Sequence, residues 1–256
     1  QKTTPDSYQG IAIGVDEWRD RTKNIGAGGQ INMEKKIALV HYSFPPLIGG
    51  VEFIMEAHAR LLARAGHPVR VIGGAGESKI KGVRVRIIER MSAQNKEVQA
   101  IQEELQAGVV SPHFYQLKEE LRKQLRKELA GIDVCFIHNI LTMHFNLALT
   151  AALSEVIQRW GKKKKFYAWC HDATLLNPDY SVPSPKEYPW NLLADPPKQC
   201  RYVAISRSRQ EDFSRLFQRS AAFFRVVPDG IDLQSFLGIS DQIWEVARAL
   251  KLLDKD

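Results

Sequence analysis

From Lys36 onward, short apolar runs alternate with longer segments of helical period, and this alternation restricts the fold of the 256-residue chain more than any other feature. The runs are IALVHY (37–42), VRVIGG (69–74), VRVRII (83–88), DVCFIH (133–138), KFYAWC (165–170), RYVAI (201–205) and FFRVVP (223–228). Most are apolar at successive positions, as strands buried on both faces must be. The intervening segments are long enough to cross over a sheet. The pattern therefore predicts an α/β fold, a Rossmann-like, mostly parallel sheet flanked by helices.

The segment VEFIMEAHARLLARAG (51–66) completes the first βαβ unit, with Phe53, Ile54, Ala57, Leu61 and Leu62 expected on its buried stripe and Gly66 at its C-cap. Residues 95–130 are helical in pattern. Their second part, FYQLKEELRKQLRKELA, reads as a solvated amphipathic helix with opposite-charge pairs such as Glu119 with Lys123. A membrane-surface role is the alternative reading of that helix, supported by the basic run Lys162–Lys165. Between Asp172 and Gln199 the chain turns irregular and Pro-rich, and loops of that length are commonly functional.

Residues 1–32 lack sustained periodicity, whereas Met33 opens MEKKIALVHY like a native start. The expected division is a leader or tag at 1–32, a Rossmann-like domain at 33–238, and an interdomain linker helix with a charged tail at 239–256. Cys135, Cys170 and Cys200 are odd in number, widely spaced and without a C-x-x-C pair, so neither a disulfide framework nor a zinc ribbon is indicated and a reducing cytoplasm fits best. No apolar run approaches the roughly 20 residues of a membrane span. A net charge of +7 favours anionic partners. Charge alone does not choose among nucleic acid, acidic lipid and a diphosphate.

Four segments carry candidate chemistry. In SFPPLIGGVE (43–52), Gly49 and Gly50 stand where a helix starts, so backbone N–H groups can approach a phosphate; a plain turn is the equal alternative. In WCHD (169–172), His171 and Asp172 follow an apolar strand, and ligands of open α/β sheets collect at the carboxyl ends of strands. FIHNILTMH (136–144) places His138 and Asn139 at another such end, with Thr142 as the expected cap of the next helix and His144 as a helix-surface or packing residue. Its histidine spacing does not suit a metal, and no metal is expected. In YVAISRSRQEDFSRLF (202–217), Ser206 is the expected N-cap, with Arg207 and Arg209 in the first turn to hold an anion or to be solvated.

Taken in order, KIALVHYSFPPLIGGVE, GHPVRVIGG, WCHD, YVAISRSRQEDF and FFRVVPDGIDLQSF resemble the N-terminal domain of family-four retaining glycosyltransferases of the two-domain GT-B fold, over about Lys36 to Phe236. The resemblance implies transfer of a sugar from a nucleotide-sugar donor to an acceptor hydroxyl with retention, without cofactor, metal or nucleic acid. The acceptor and the donor sugar are left open. By matching position, Gly49 and Gly50 would touch the donor phosphates and His171 would stand near the donor sugar as the catalytic-site histidine. His138, Asn139, Asp172, Ser206 and Arg207 are candidate acceptor or donor contacts.

Two departures qualify the match. Asp229 stands in VVPDGID where the family usually has Asn, and the family's C-terminal Rossmann domain, with its glutamate pair and most nucleotide contacts, would begin where this sequence ends in LKLLDKD. The expectation is therefore a cytoplasmic acceptor-side lobe, inactive alone and in peripheral contact with anionic membrane. The alternative is a stand-alone sugar- or anionic-lipid-binding domain without catalysis.

Overall fold

All seven expected strands form, and all pair in parallel. The computed structural model describes residues 34–47, 49–230 and 241–250, so the leader at 1–32, the segment 231–240 and the tail at 251–256 lie outside the described residues. The strands are β1 (Ile37–Val40), β2 (Val69–Gly73), β3 (Val83–Ile87), β4 (Val134–His138), β5 (Lys165–Cys170), β6 (Cys200–Ala204) and β7 (Phe224–Val226). They make one sheet in the order β3-β2-β1-β4-β5-β6-β7, with the first strand in its interior. The order reverses between β1 and β4, the place where an open α/β sheet leaves a crevice at its carboxyl edge.

The helices are α1 (Gly50–Arg64), α2 (Lys96–Gln106), α3 (Pro112–Glu128), α4 (Leu147–Trp160), α5 (Arg207–Leu216) and α6 (Asp241–Ala249). Strand β1 shows why its sequence is apolar throughout. Ile37 and Leu39 join Met55 and Ala59 of α1 in one core, while Ala38 and Val40 join the larger core that contains α2, α3 and α4. The buried residues of α1 are Ile54, Met55 and Ala59, whereas Phe53 and Leu61 are exposed, so the expected stripe is rotated. In a helix with apolar residues on most sides, sequence alone does not say which side the sheet covers.

Residues 95–130 form two helices. Asn95 caps α2 by accepting from the Glu97 and Val98 amides, and Ser111 caps α3 ahead of a Pro at the first helical position. Phe114, Leu117, Leu121 and Leu125 of α3 are all completely buried, each worth roughly 1.5–3 kcal/mol. Helix α3 is thus amphipathic, with its apolar face in the core and its charged face, together with Tyr115, toward solvent. There Glu119 pairs with Arg122, one residue short of the expected Lys123. Among the described residues no helix is long and apolar enough to cross a membrane.

Gly66 and Gly74 are among the glycines that geometry requires. Gly66, just after α1, has φ +85°, a left-handed conformation that ends the helix. A Cβ on Gly74, just past β2, would collide with the backbone of Ser92.

Candidate functional site

Strand order, which the sequence does not announce, gathers four histidines. His41 follows β1, His138 ends β4 and His171 follows β5. Strands β1, β4 and β5 are neighbours, with Val40 opposite Ile137 and His138 opposite Trp169. The three imidazoles therefore stand along one carboxyl edge, and His58 of α1 adds a fourth, its ring centroid 5.3 Å from that of His138 and 4.5 Å from the Trp169 ring.

The contacts form a column. His41 Nδ1 lies 2.8 Å from the His138 carbonyl oxygen, which can only accept, so Nδ1 carries the proton. His138 Nδ1 lies 3.4 Å from His171 Nε2, and His171 Nδ1 lies 3.1 Å from Asp229 Oδ2. The indole N–H of Trp169 donates to the other carboxylate oxygen of Asp229 at 3.4 Å. His138 is completely buried, and its Nε2 has no hydrogen-bond partner.

Burial keeps this interior neutral. It lowers His41 to about 4, opposed by the hydrogen bond to the His138 carbonyl and by Glu52. It pushes His138 well below the ordinary histidine value, with His58, His171 and His41 adding to the effect, and it lowers His58 against the pull of Asp229. Beside His41, Glu52 accepts a 2.5 Å hydrogen bond from the Ser43 hydroxyl.

Asn139 organises the backbone around His171. It holds φ 57°, a left-handed conformation that Asn tolerates better than most residues, and its Oδ1 accepts from the amides of His171 at 2.7 Å and Asp172 at 3.2 Å. Thr142 Oγ1 donates to the Asp172 carbonyl at 2.6 Å. The Asp172 carboxylate meets Arg209 of α5 at 3.4 Å, and Ser206 caps α5 by accepting from the Arg209 amide at 3.1 Å. Arg207 is exposed on the first turn of α5.

The glycine loop also enters this edge. Gly49 is the extended N-cap of α1 and offers no side-chain cap; Gly50 is exposed with open space around its Cα. A Cβ on Gly49 would collide with the Glu52 carboxylate, which folds back over the start of the helix. An acidic side chain thus already complements the positive end of the α1 dipole.

Of the residues singled out from sequence, His171, Asp172, His138, Asn139, Ser206 and Arg209 converge here. One of these readings is corrected. Thr142 does not cap the next helix: Asn146 does, accepting from the Leu149 amide at 3.0 Å, because the chain makes a further turn before α4 begins. His144 is a packing residue but lies in that turn, bonded to Thr174 and stacked near Trp190. Sequence reasoning passed over His41, His58, Ser43, Glu52 and Trp169. For His41 a signal existed, since it follows its strand as His171 follows β5.

Two surface concavities, of about 530 and 320 Å³, lie away from the column, one beside Arg90 and Lys127 and one beside Leu192 and Pro197. Among the described residues no cluster of three or more His, Cys, Asp or Glu side chains is arranged to hold a metal ion.

Comparison with known proteins agrees with this architecture. Residues 48–235 match the model of Glycosyltransferase Family 4. No curated protein sequence matches the chain. A solved glycosyltransferase from Rickettsia africae ESF-5 superposes with a TM-score of 0.50 at 14% identity, covering 87% of this chain and 50% of its own length. WaaG, a glycosyltransferase involved in lipopolysaccharide biosynthesis, gives 0.47 at 14% identity, covering 80% of this chain and 52% of its own. The catalytic domain of starch synthase IV from Arabidopsis thaliana, bound to ADP and acarbose, gives 0.47 at 10% identity, with coverage of 81% and 54%. The chain spans about half the length of these structures.

Proposed function

The chain belongs to glycosyltransferase family 4, and from that premise we propose that it is the acceptor-side lobe of a retaining transferase that moves a sugar from a nucleotide-sugar donor to an acceptor hydroxyl. The observation that carries the reading is the position of His171, at the carboxyl edge of β5, beside the order reversal of the sheet and within the same edge as the start of α1. In this reading the donor diphosphate approaches Gly49 and Gly50, where free N–H groups and the helix dipole favour an anion. Glu52 must swing away as it arrives, since its carboxylate now folds over that helix start. The reacting sugar lies against His171. Polar groups fixed there before the reaction stabilise charge as the sugar–phosphate bond breaks and oxocarbenium character grows.

Asp172, Ser206 and Arg207 border the same edge and are proposed to meet donor or acceptor. His138 and Asn139 act beneath it, through the His171 ring and the His171 backbone. The chain's coverage of half of the Rickettsia africae glycosyltransferase supports a cleft closed by a second lobe. We therefore place turnover in a two-lobed protein, with further contact to anionic membrane and a cytoplasmic setting as parts of the same proposal.

The test joins this chain to a family-four C-terminal Rossmann lobe and screens UDP-, GDP- and ADP-sugars against a panel of hydroxyl acceptors. Transfer is expected from the joined protein and not from the chain alone, and His171→Ala is expected to lower kcat by about 100-fold or more. A joined protein whose His171→Ala variant matched the parent would remove His171 from the chemistry.

A further inference from the structure

Both ring nitrogens of His171 are engaged within the protein, Nδ1 with Asp229 and Nε2 with His138. A carboxylate can only accept, so while Asp229 is ionised the Nδ1 atom of His171 must carry a proton. In the neutral ring Nε2 is then a bare acceptor, and it is met by a proton on His138 Nδ1. That assignment fixes His138 as well, leaving its Nε2 an unprotonated lone pair, and this is the buried nitrogen that has no partner. An unpaired acceptor is the less costly of the two orphans the site could bury. One carboxylate thus sets the proton positions of two imidazoles in series.

We propose that Asp229 is a positioning residue that locks His171 in its Nδ1–H tautomer and turns both nitrogens away from the ligand, so that the ring meets a bound sugar through its carbon edge and its backbone. Trp169 supports the lock by donating to the second oxygen of Asp229. In the observed pose the two donors meet different oxygens of Asp229. An amide held in the same pose has its oxygen at one of these places and its N–H group at the other, so either the indole or the imidazole would face an N–H group. An amide N–H facing His171 would reverse its tautomer and would require His138 to bury an unpaired N–H. The departure from the family's usual Asn at this position is therefore a change in how the catalytic-site histidine is wired. The groups facing the pair from the packed elements are His41 after β1, His58 of α1, His138 of β4 and Trp169 of β5.

This inference rests on the proposed placing of His171 at the reacting centre, but its test does not depend on transfer. The chain is labelled with ¹⁵N-histidine and the His171 tautomer is read from its ring nitrogen shifts near pH 7.5, without donor. The expected result is Nδ1–H for both His171 and His138. Asp229→Asn is expected to shift His171 toward the Nε2–H form, and Asp229→Glu to restore Nδ1–H. An Nε2–H His171 in the parent chain overturns the proposal without need of any variant. So does an Asp229→Asn chain in which His171 stays fully in the parent tautomer while the Trp169 indole N–H keeps its hydrogen bond. A failed transfer screen alongside the expected tautomers would count against the catalytic reading and leave the lock in place.

Discussion

Asn139 offers the most direct probe of how the site is built, because one side chain does two separable jobs. Its Oδ1 satisfies the His171 and Asp172 amides, and its backbone sits at φ 57°. Replacing it by Ala removes both hydrogen bonds, about 1 kcal/mol each, and forces an ordinary side chain into the left-handed region, about 1 kcal/mol more. The expected loss is about 3 kcal/mol. Asn139→Gly removes the same hydrogen bonds without the strain, but adds about 0.4–1 kcal/mol of unfolded-chain entropy, so its loss should fall close to that of Ala. Asn139→Asp keeps an acceptor and tolerates the same conformation, and should cost under about 1 kcal/mol. Urea denaturation measures all three, and amide hydrogen exchange at His171 and Asp172 should quicken in the Ala and Gly variants only. If Asn139→Gly were as stable as the parent, backbone conformation alone would explain the residue, and the proposed support of the His171 backbone would be refuted.

Stability should also depend on the buried histidines. The unfolded chain takes up a proton at His41 near 6.5, whereas the folded chain resists it down to about 4. Stability from this group is therefore fully present above pH 6.5 and lost as the pH falls through about 4, a difference of about 3 kcal/mol. Burial lowers His58, His138 and His144 in the same sense. Denaturation midpoints should fall between pH 6.5 and 4, less steeply in His41→Gln, and a flat profile would show that these rings are not buried as neutral groups. Gly74→Ala drives a Cβ into the Ser92 backbone and should cost about 2–3 kcal/mol, while Gly49→Ala meets only the movable end of Glu52 and should cost about 1 kcal/mol in the same assay.

The inner strands were legible because they are buried on both faces and so written as largely apolar runs; IALVHY and VCFIH cannot be mistaken for surface, whereas the edge strand β3 alternates Val with Arg and is half exposed. The sidedness of α1 was not legible, since Phe53 and Leu61 are as apolar as Ile54 and Met55 and only the sheet decides which pair is covered. The start of α4 was displaced because Thr142 and Asn146 are both good caps, and the hydrogen bond from Thr142 to the Asp172 carbonyl settles the choice through a residue 30 positions away. The site was half legible. His171 and Asp172 announce themselves at a strand end, but their union with His138, His41 and Asp229 depends on strand order. Asp229 read only as a departure from the family's usual Asn; beside His171 and Trp169 its charge has two donors to satisfy.

Because β1 is paired on one side with β2 and on the other with β4, its two edges close at different times as the chain is made. A ribosome that has released residues up to Gly73 has supplied one partner; the other is complete only when His138 emerges. At about 5–20 residues per second that interval is roughly 3–13 s. Throughout it, the nascent chain carries an unpaired apolar strand able to pair with a neighbouring copy. Slow codons between β2 and β4 would lengthen that exposure, and a chaperone acting on this protein has its work concentrated there.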